Sequence, residues 1–269
     1  MKRKNIIRWI KILLVIYIVV GIGLYYLQDR IMFRPIPVNN DHKYEIAQPH
    51  KEINIPYSDQ SNISIVQFES GSSPAKGVVL YFHGNRANIS YYARHAPLFT
   101  SRGYEVWMLD YPGYGKSTGE RREQVLYEWA LTIYKLARTR YSPDSIVLYG
   151  KSLGTGIAAQ LASVRDCKHL LLETPYYSFP SVIGQYAPVY PFNKMIRYRI
   201  PTYEYLQRVT APVTIFHGTS DGVITYRNSK RLKPFLKKGD EFITIEGGSH
   251  NDLPAYDEYL KKMDSILSR

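Results

Sequence analysis

The sequence has only one cysteine, Cys167, among its 269 residues. One thiol excludes a disulfide within the chain, and it argues against a metal site built from cysteines. We find no internal repeat and no low-complexity tract. The length and the 45% hydrophobic content suit a single globular domain with a sizeable core.

Signals for nucleotide or nucleic-acid binding are weak. The formal net charge is +12, but beyond residue 30 the basic residues are scattered and no binding module is recognisable. Two Gly-Lys-Ser triplets, at 115–117 and 150–152, resemble the end of a phosphate-binding P-loop. That motif requires another glycine five residues before the triplet, where Asp110 and Ser145 stand instead. We therefore expect no nucleic-acid partner, no cofactor and no metal.

The first 28 residues contain no acidic side chain, and an unbroken apolar run occupies residues 12–27. A helix that spans a bilayer needs about 20 residues. The run is long enough if it extends back to Ile6, with the side chains of two internal cations reaching the interface. Cations before the run predict a cytoplasmic N-terminus and an extracytoplasmic location for the rest of the chain. The five cations before Ile12 are Lys2, Arg3, Lys4, Arg8 and Lys11.

A cleaved signal peptide is the alternative interpretation of this segment. No small-x-small cleavage site follows the apolar run, because Gly21-Ile22-Gly23 lies inside it. Tyr25 and Tyr26, near the end of the run, are typical of the interfacial belt of a spanning helix. We therefore predict that residues 1–30 form an uncleaved, single-pass membrane anchor.

Residues 31–60 are predicted as a proline-rich linker that leads into a first strand region, and residues 61–269 as the main domain. In the main domain, apolar runs alternate with helical patterns. This alternation predicts an α/β fold in which helices cover both faces of a mostly parallel sheet. The predicted strands lie at 63–68, 78–82, 106–111, 146–149, 169–173, 213–217 and 242–246. The predicted helices lie at 91–101, 122–139, 153–164, 226–237 and 255–267.

Residues 175–205 interrupt the alternation with five prolines and seven tyrosines. We predict that this segment is a small cap, inserted after the strand at 169–173, which covers the site. An ordinary long loop with locally packed tyrosines is the alternative.

The most informative motif is Gly150-Lys151-Ser152-Leu153-Gly154, which stands between a predicted strand and a predicted helix. A G-x-S-x-G pattern in that context is typical of a nucleophilic serine on a sharp, strained turn. Side chains at 150 and 154 would collide with the neighbouring helix or strand, which accounts for the two glycines. The turn is expected to present the Ser152 hydroxyl beside the N-terminus of the following helix.

Polar loops follow several other predicted strands. The functional groups of an open α/β sheet gather at the carboxyl ends of its strands, so these loops are expected to meet Ser152 at one edge. They supply Asp221 and His250, which complete the chain order Ser, Asp, His. A histidine is suited to remove the proton from the serine hydroxyl, and a carboxylate orients the imidazole and stabilises its charged form.

A serine nucleophile also needs two backbone N–H groups to stabilise the oxyanion that forms during attack. Leu153 follows the nucleophile directly, and Asn85 follows His83-Gly84 at the end of the strand at 78–82. These are the positions from which oxyanion-hole donors are usually drawn in this arrangement. We expect the N–H groups of Leu153 and Asn85 to form the oxyanion hole.

With these residues in order, the sequence resembles the α/β-hydrolase superfamily over residues of about 60 to 267. Four blocks look like the membrane-anchored ABHD-type serine hydrolases: 28–35 (QDRIMFRP), 81–85 (YFHGN), 110–117 (DYPGYGKS) and 149–154 (YGKSLG). The resemblance implies Ser152, Asp221 and His250 as the catalytic triad, and an ester or thioester bond as the target. Some members of the superfamily remove acyl groups from proteins, whereas others act on lipids or small esters.

Two other carboxylates lie near the predicted site. Glu173 ends the strand after the nucleophile helix and is the rival of Asp221 as the acid of the triad. Asp252 is only two residues from His250 in the chain, which is too close for it to be the expected acid of the triad.

Four further polar residues are expected to have structural roles. Asp110 and Tyr111 are expected to shape the loop after their strand. His83 and His217 each precede a glycine at a strand end, and both are expected to hold loops by hydrogen bonds.

Two other functions stay open at this stage. A peptidase of the same fold would need acidic residues in the cap to hold a substrate amino terminus, and 175–205 contains only Glu204. A catalytically silent binding module would keep the fold, but drift is expected to have erased a member of its triad. A small-molecule or acyl-chain substrate, met near the membrane, is the leading expectation.

Overall fold

A computed structural model describes residues 3–268 of the chain. Lys2, one of the N-terminal cations, and Arg269, the end of the predicted main domain, lie outside the described residues. In chain order, the strands are β1 (Arg34–Pro35), β2 (His50–Ser58), β3 (Ser61–Phe68), β4 (Gly77–Phe82), β5 (Arg86–Ala87), β6 (Tyr104–Leu109), β7 (Ile146–Lys151), β8 (His169–Glu173), β9 (Val213–Gly218) and β10 (Glu241–Ile245).

Eight strands form one sheet in the order β10-β9-β8-β7-β4-β6-β3-β2, and β1 and β5 form a separate two-stranded ribbon. In the large sheet, β3 runs antiparallel to both of its neighbours, β2 and β6. The remaining neighbours are parallel to one another. The carboxyl ends of β4, β7, β9 and β10 therefore lie along the same edge of the sheet.

Helices cover both faces of this sheet. Along β4, Val78, Leu80 and Phe82 belong to the core on one face, and Val79 and Tyr81 belong to the core on the other. This alternation follows from the two-residue period of a strand. The α-helices are α1 (Arg3–Met32), α2 (Ile89–Tyr92), α3 (Pro97–Thr100), α4 (Glu123–Arg138), α5 (Leu153–Ala162), α6 (Phe179–Gly184), α7 (Phe192–Met195), α8 (Thr202–Leu206), α9 (Tyr226–Lys230) and α10 (Asp257–Leu267).

The prediction of a mostly parallel sheet with helices on both faces is confirmed, and two predicted helices are shorter than expected. The helix expected at 91–101 is divided into α2, a 3-10 turn at Ala93–His95 and α3. Pro97 is the first residue of α3, where a missing N–H costs nothing. The helix expected at 226–237 ends at Lys230, and Pro234 lies in a separate 3-10 turn. A proline inside a continuous helix would remove a backbone hydrogen bond.

α1 is longer than the predicted span. It contains 30 residues, and a helix of that length measures about 45 Å. Its residues 4–20 are exposed along their whole length, and burial begins only toward its carboxyl end. It is long and apolar enough to cross a membrane, with a mean hydropathy of 2.3 in its most apolar window. A signal sequence would satisfy the same test.

The segment after α1 packs against the main domain. Phe33 and Tyr44 are buried, and β1 pairs with β5 in parallel, with Arg34 opposite Arg86. The segment predicted as a cap, 175–205, contains the short helices α6 and α7 and most of α8, which ends at Leu206. The division of the chain into an anchor (1–30), a linker (31–60) and a main domain (61–269) stays a prediction.

Candidate active site

Ser152 occupies a strained turn between β7 and α5. Its φ and ψ are 51° and −117°, a conformation that residues other than glycine rarely adopt. A Cβ at Gly150 would lie 2.6 Å from the Cα of Thr155 in α5, and one at Gly154 would overlap the backbone oxygen of Phe82 in β4. The two glycines are therefore required by the close approach of the helix that follows and of the neighbouring strand.

The structure brings Ser152, His250 and Asp221 together at the carboxyl edge of the sheet. His250 Nε2 lies 3.0 Å from Ser152 Oγ, and His250 Nδ1 lies 2.7 Å from Asp221 Oδ2. Asp221 is supplied by the loop after β9, and His250 by the loop after β10. The arrangement links a hydroxyl, an imidazole and a carboxylate in one hydrogen-bonded chain.

The second carboxylate oxygen of Asp221 accepts two backbone hydrogen bonds, from the N–H groups of Val223 and Ile224, each at 2.8 Å. Burial opposes the ionisation of Asp221, but its hydrogen bond to His250 and the N–H of Ile224 hold the pKa of its carboxyl below the usual range. An ionised, fixed carboxylate therefore faces His250.

His217 lies beneath this loop as a fully buried side chain. Its Nε2 is 2.9 Å from the backbone oxygen of Ile224 and 3.4 Å from Asp221 Oδ2. Burial lowers the pKa of the His217 imidazole. His217 belongs to β9, and in its neutral form it donates a hydrogen bond to the backbone oxygen of Ile224. The loop that carries Asp221 leaves β9 at Gly218 and is bonded back to the same strand at Ile224.

Glu173 makes no contact with the His250 side chain and belongs to a separate buried network. Lys151 forms an ion pair with it, and the hydroxyls of Tyr149 and Tyr259 donate to it. Burial raises the pKa of the Glu173 carboxyl, but the charge of Lys151 and the hydrogen bonds from Lys151, Tyr149 and Tyr259 together hold the pKa below the usual range. Lys151 also donates to the backbone oxygen of His250 at 3.3 Å. The geometry thus favours Asp221 over Glu173 as the partner of the imidazole.

Asp252, the other carboxylate near His250, stabilises the turn that carries the histidine. Its Oδ1 accepts a hydrogen bond from the N–H of Ser249 at 2.6 Å. It therefore acts on the backbone of the loop, as its short separation from His250 in the chain suggested.

The loop after β4 is held from beneath by buried polar groups. His83 Nε2 lies 3.3 Å from Asp110 Oδ1, and this oxygen also accepts the N–H of Ile89 at 2.9 Å. Tyr111 donates its hydroxyl to the backbone oxygen of His83 at 2.9 Å. Burial raises the pKa of the Asp110 carboxyl, although the bond to His83 opposes the shift. These contacts fix the loop that continues into Gly84 and Asn85.

The two expected oxyanion donors both line the cavity beside the Ser152 hydroxyl. Leu153 is the first residue of α5, and the first N–H groups of a helix have no acceptor within it. No hydrogen bond is formed by the N–H of Asn85 with any residue in 3–268. A Cβ at Gly84 would lie 3.7 Å from the Cβ of Ser152, so the Asn85 loop passes directly beside the serine.

Nothing in the sequence indicates that the N-terminal segment reaches the site. The side-chain amide of Asn85 donates to the backbone oxygen of Met32 at 2.9 Å, and the N–H of Arg34 donates to the backbone oxygen of Asn85 at 2.8 Å. Tyr114 donates to the same oxygen at 2.8 Å. The block at 28–35 carries part of a family resemblance, and that resemblance does not indicate where the block lies in the fold.

A mostly apolar cavity of about 480 Å³ opens beside Ser152, within the range of roughly 300–1,000 Å³ that is usual for ligand sites. Its walls come from α1, from the predicted cap and from the loop after β9. No aspartate or glutamate of the described chain lines it. Among residues 3–268, no group of three or more histidine, cysteine, aspartate or glutamate side chains is arranged to hold a metal ion.

This sheet, with a strained serine after its central strand and an acid and a histidine at neighbouring strand ends, is the α/β-hydrolase fold. A family model for that fold matches residues 77–192. Alpha/beta hydrolase domain-containing protein 17C of Xenopus tropicalis is 31% identical over 205 residues, which cover 73% of this chain and 63% of that protein. The human protein of the same name is 31% identical over 198 residues, which cover 71% of this chain and 57% of that protein.

The chain belongs to the α/β-hydrolase family, as a member of the ABHD type. It spans less than two thirds of the length of these relatives. Among solved structures, an esterase of Pyrococcus furiosus has a TM-score of 0.67 at 18% identity, covering 88% of this chain and 98% of the esterase. A monoacylglycerol lipase of Paleococcus ferrophilus has a TM-score of 0.59 at 20% identity, covering 77% and 98%. At these identities the similarity concerns the fold.

Proposed function

We propose that the protein is a serine hydrolase that cleaves an ester or thioester through an acyl-enzyme intermediate. The observation that carries the proposal is the unbroken hydrogen-bonded chain from Ser152 through His250 to Asp221. In this role Ser152 is the nucleophile, His250 the general base and acid, and Asp221 the group that orients the imidazole. Leu153 and Asn85 supply the oxyanion hole.

In the acylation step, Ser152 Oγ attacks the carbonyl carbon of the substrate while His250 Nε2 takes the hydroxyl proton. Asp221 stabilises the imidazolium that results, and the N–H groups of Leu153 and Asn85 stabilise the oxyanion. When the tetrahedral intermediate collapses, His250 returns the proton to the departing alcohol or thiol. Water then attacks the acyl-enzyme with His250 as base, which releases the carboxylic acid and restores Ser152.

An acyl-chain or lipid-like substrate is supported by the apolar lining of the cavity and by its position against α1. In the proposed topology, α1 is a single-pass anchor with a cytoplasmic N-terminus, and the hydrolase domain lies outside the cytoplasm, close to the bilayer. The two relatives described above are alpha/beta hydrolase domain-containing proteins. The esterase of Pyrococcus furiosus and the monoacylglycerol lipase of Paleococcus ferrophilus share the fold.

Two observations argue against the alternatives. A peptidase would need an acid to hold a substrate amino terminus, and the only acid in the predicted cap, Glu204, is exposed and hydrogen-bonded to Tyr203 rather than directed into the cavity. A silent binding module would have no need of a strained serine in hydrogen-bond contact with a histidine.

Labelling with a fluorophosphonate probe tests the proposed function, because the probe reacts with an activated serine. The full-length protein should be labelled and should hydrolyse p-nitrophenyl esters, whereas Ser152→Ala should lose both properties and keep the thermal midpoint of the parent. Ser58→Ala is the matched control, since Ser58 is an exposed serine at the end of β2, outside the hydrogen-bonded chain and the cavity. More than a few per cent of residual activity in Ser152→Ala would refute the assignment, and preferential cleavage of peptides in a parallel substrate panel would favour the peptidase.

A further inference from the structure

The cavity beside Ser152 is closed on one side by α1. Leu24, Ile31 and Met32 from this helix line the cavity, and Ile183 and Phe192 of the predicted cap face them. The helix that is apolar enough to cross a membrane thus continues, at its carboxyl end, as a wall of the candidate active site. An acyl chain placed there would contact apolar side chains of the helix and of the predicted cap together.

The tip of the predicted cap, residues 186–191, follows α1 toward its N-terminus. The rings of Tyr17 and Tyr190 stack at 4.5 Å, and the Tyr17 hydroxyl donates to the backbone oxygen of Val189 at 3.1 Å. The Tyr190 hydroxyl donates in return to the backbone oxygen of Tyr17 at 3.0 Å. Tyr17 lies fifteen residues before Met32, which corresponds to about 22 Å along the helix axis.

This contact places the tip of the predicted cap at the bilayer if α1 is the anchor. Residues 4–16, the exposed part of α1 before the contact, measure about 20 Å, which is less than the hydrocarbon thickness of about 30 Å. A spanning α1 therefore carries the tip of the predicted cap into the outer leaflet. Tyr186 and Val189 at this tip are 63% and 70% exposed, which suits contact with lipid.

The mouth of the cavity carries two arginines. Arg34 and Arg86 both line it, and they stand opposite each other in the β1–β5 ribbon, so their side chains project from the same face. Both residues are exposed, and neither guanidinium forms an ion pair or a hydrogen bond with any residue in the described range. Two like charges side by side repel each other, and a bound anion would relieve that repulsion. Guanidinium groups are well suited to phosphate and carboxylate.

We propose that the substrate is an anionic acyl amphiphile taken from the outer leaflet. Its acyl chain lies between α1 and the predicted cap, its carbonyl carbon meets Ser152, and its negatively charged group is held by Arg34 and Arg86. The inference rests on the proposed function and adds the class of substrate. We favour a lipid over an acylated protein because the apolar wall is the membrane helix itself.

The chain-binding half of the proposal is tested with Leu24→Trp, which fills the cavity from the side of α1. In full-length protein reconstituted in phosphatidylcholine vesicles, the ratio of kcat/KM for p-nitrophenyl dodecanoate to that for the acetate should fall at least about tenfold. Ile22→Trp is the matched control, because Ile22 is exposed on the same helix and does not line the cavity. Ile183→Trp fills the cavity from the opposite wall and replaces Leu24→Trp if that variant fails to fold.

The headgroup half is tested with two substrates that differ only in a phosphate, 1-dodecanoylglycerol 3-phosphate and 1-dodecanoylglycerol. The parent should prefer the phosphate-bearing ester by at least about tenfold in kcat/KM, as expected for hydrogen bonds to a charged group. The double variant Arg34→Gln/Arg86→Gln should lose this preference. Arg227→Gln, which removes an exposed arginine away from the cavity, should keep it.

The outcomes separate this inference from the proposed function. If the parent is neither labelled by the fluorophosphonate nor active on the acetate ester, the proposed function fails, and the inference with it. If the parent is labelled and active but either ratio is unchanged in its variants, only the inference is overturned. Faster hydrolysis of an S-acylated peptide than of any anionic lipid would overturn it as well.

Discussion

The side-chain amide of Asn85 donates a hydrogen bond to the backbone oxygen of Met32, the last residue of α1, at 2.9 Å. The N–H of Arg34 returns a bond of 2.8 Å to the backbone oxygen of Asn85. The loop that carries a proposed oxyanion donor is therefore bonded directly to the end of the proposed anchor. The carboxyl end of α1 is thus part of the candidate active site.

Asn85→Ala should lower kcat with little change in the thermal midpoint. The substitution keeps the backbone N–H but removes the bond to Met32, so the donor is positioned less well. We expect a loss between about threefold and thirtyfold, less than the 10²–10³ that removal of an oxyanion donor costs. Steady-state kinetics on a p-nitrophenyl ester measure this loss, with Asn62→Ala, a change near the start of β3 and outside the cavity, as the control. An unchanged kcat would show that the bond to Met32 does not position the donor.

Asp221→Asn should reduce kcat by about 10⁴, because an amide no longer selects the imidazole tautomer that accepts the serine proton. Glu173→Gln should instead act mainly on stability, since it leaves the buried Lys151 without its counter-charge. Kinetics and thermal denaturation of both variants measure the contrast. A mild effect of Asp221→Asn combined with a severe catalytic effect of Glu173→Gln would mean that the wrong carboxylate has been chosen.

The stability of the protein should fall as the pH decreases from about 6.5 to 4. Burial lowers the pKa of His169 and of His95 to about 4, from an unfolded value of about 6.5. Between these values the unfolded chain binds more protons than the folded chain, so the free energy of unfolding rises with pH there. The contribution is complete above pH 6.5 or so and is lost as the pH falls toward 4.

Urea denaturation at pH 4.5 and 7.5 measures this dependence. His169→Gln, which cannot titrate, should show a smaller difference between the two pH values than the parent. The exposed His42 provides the control variant His42→Gln, whose pH dependence should match the parent. An equally steep pH dependence in His169→Gln would contradict the partly buried, neutral state of this histidine.

The proposed topology predicts that protease added to intact spheroplasts digests the hydrolase domain and leaves the N-terminus protected. The cations before Ile12 favour the cytoplasmic side, because lysine and arginine bias the inner flank far more than acids do. Tags at the two ends of the full chain report the cleavage. A C-terminal tag that survives until the membrane is broken would place the domain in the cytoplasm, and a mature chain without α1 would identify a cleaved signal.

The strand-helix alternation was sufficient to predict the mostly parallel sheet, because strands buried on both faces are continuous apolar runs. The predicted helices at 91–101 and 226–237 are longer than the observed ones, because side-chain periodicity continues across prolines that the backbone cannot accommodate within a helix. The two flanking glycines identify Ser152 as the predicted nucleophile. A Cβ at position 150 or 154 would collide with neighbouring backbone, which is the physical reason for these glycines.

The sequence by itself determined the features that depend on neighbouring residues. The apolar runs predict the strands and the apolar character of α1, and the two glycines predict the strained turn at Ser152. Only the tertiary structure decided which carboxylate faces His250, because Glu173 at the end of β8 and Asp221 in the loop after β9 both lie at carboxyl ends of strands, and folding brings different partners to them. The same holds for the contact of Met32 with Asn85 and for the pairing of Arg34 with Arg86. The last two contacts join residues more than fifty positions apart, and no periodicity or motif in the sequence indicates that such residues meet.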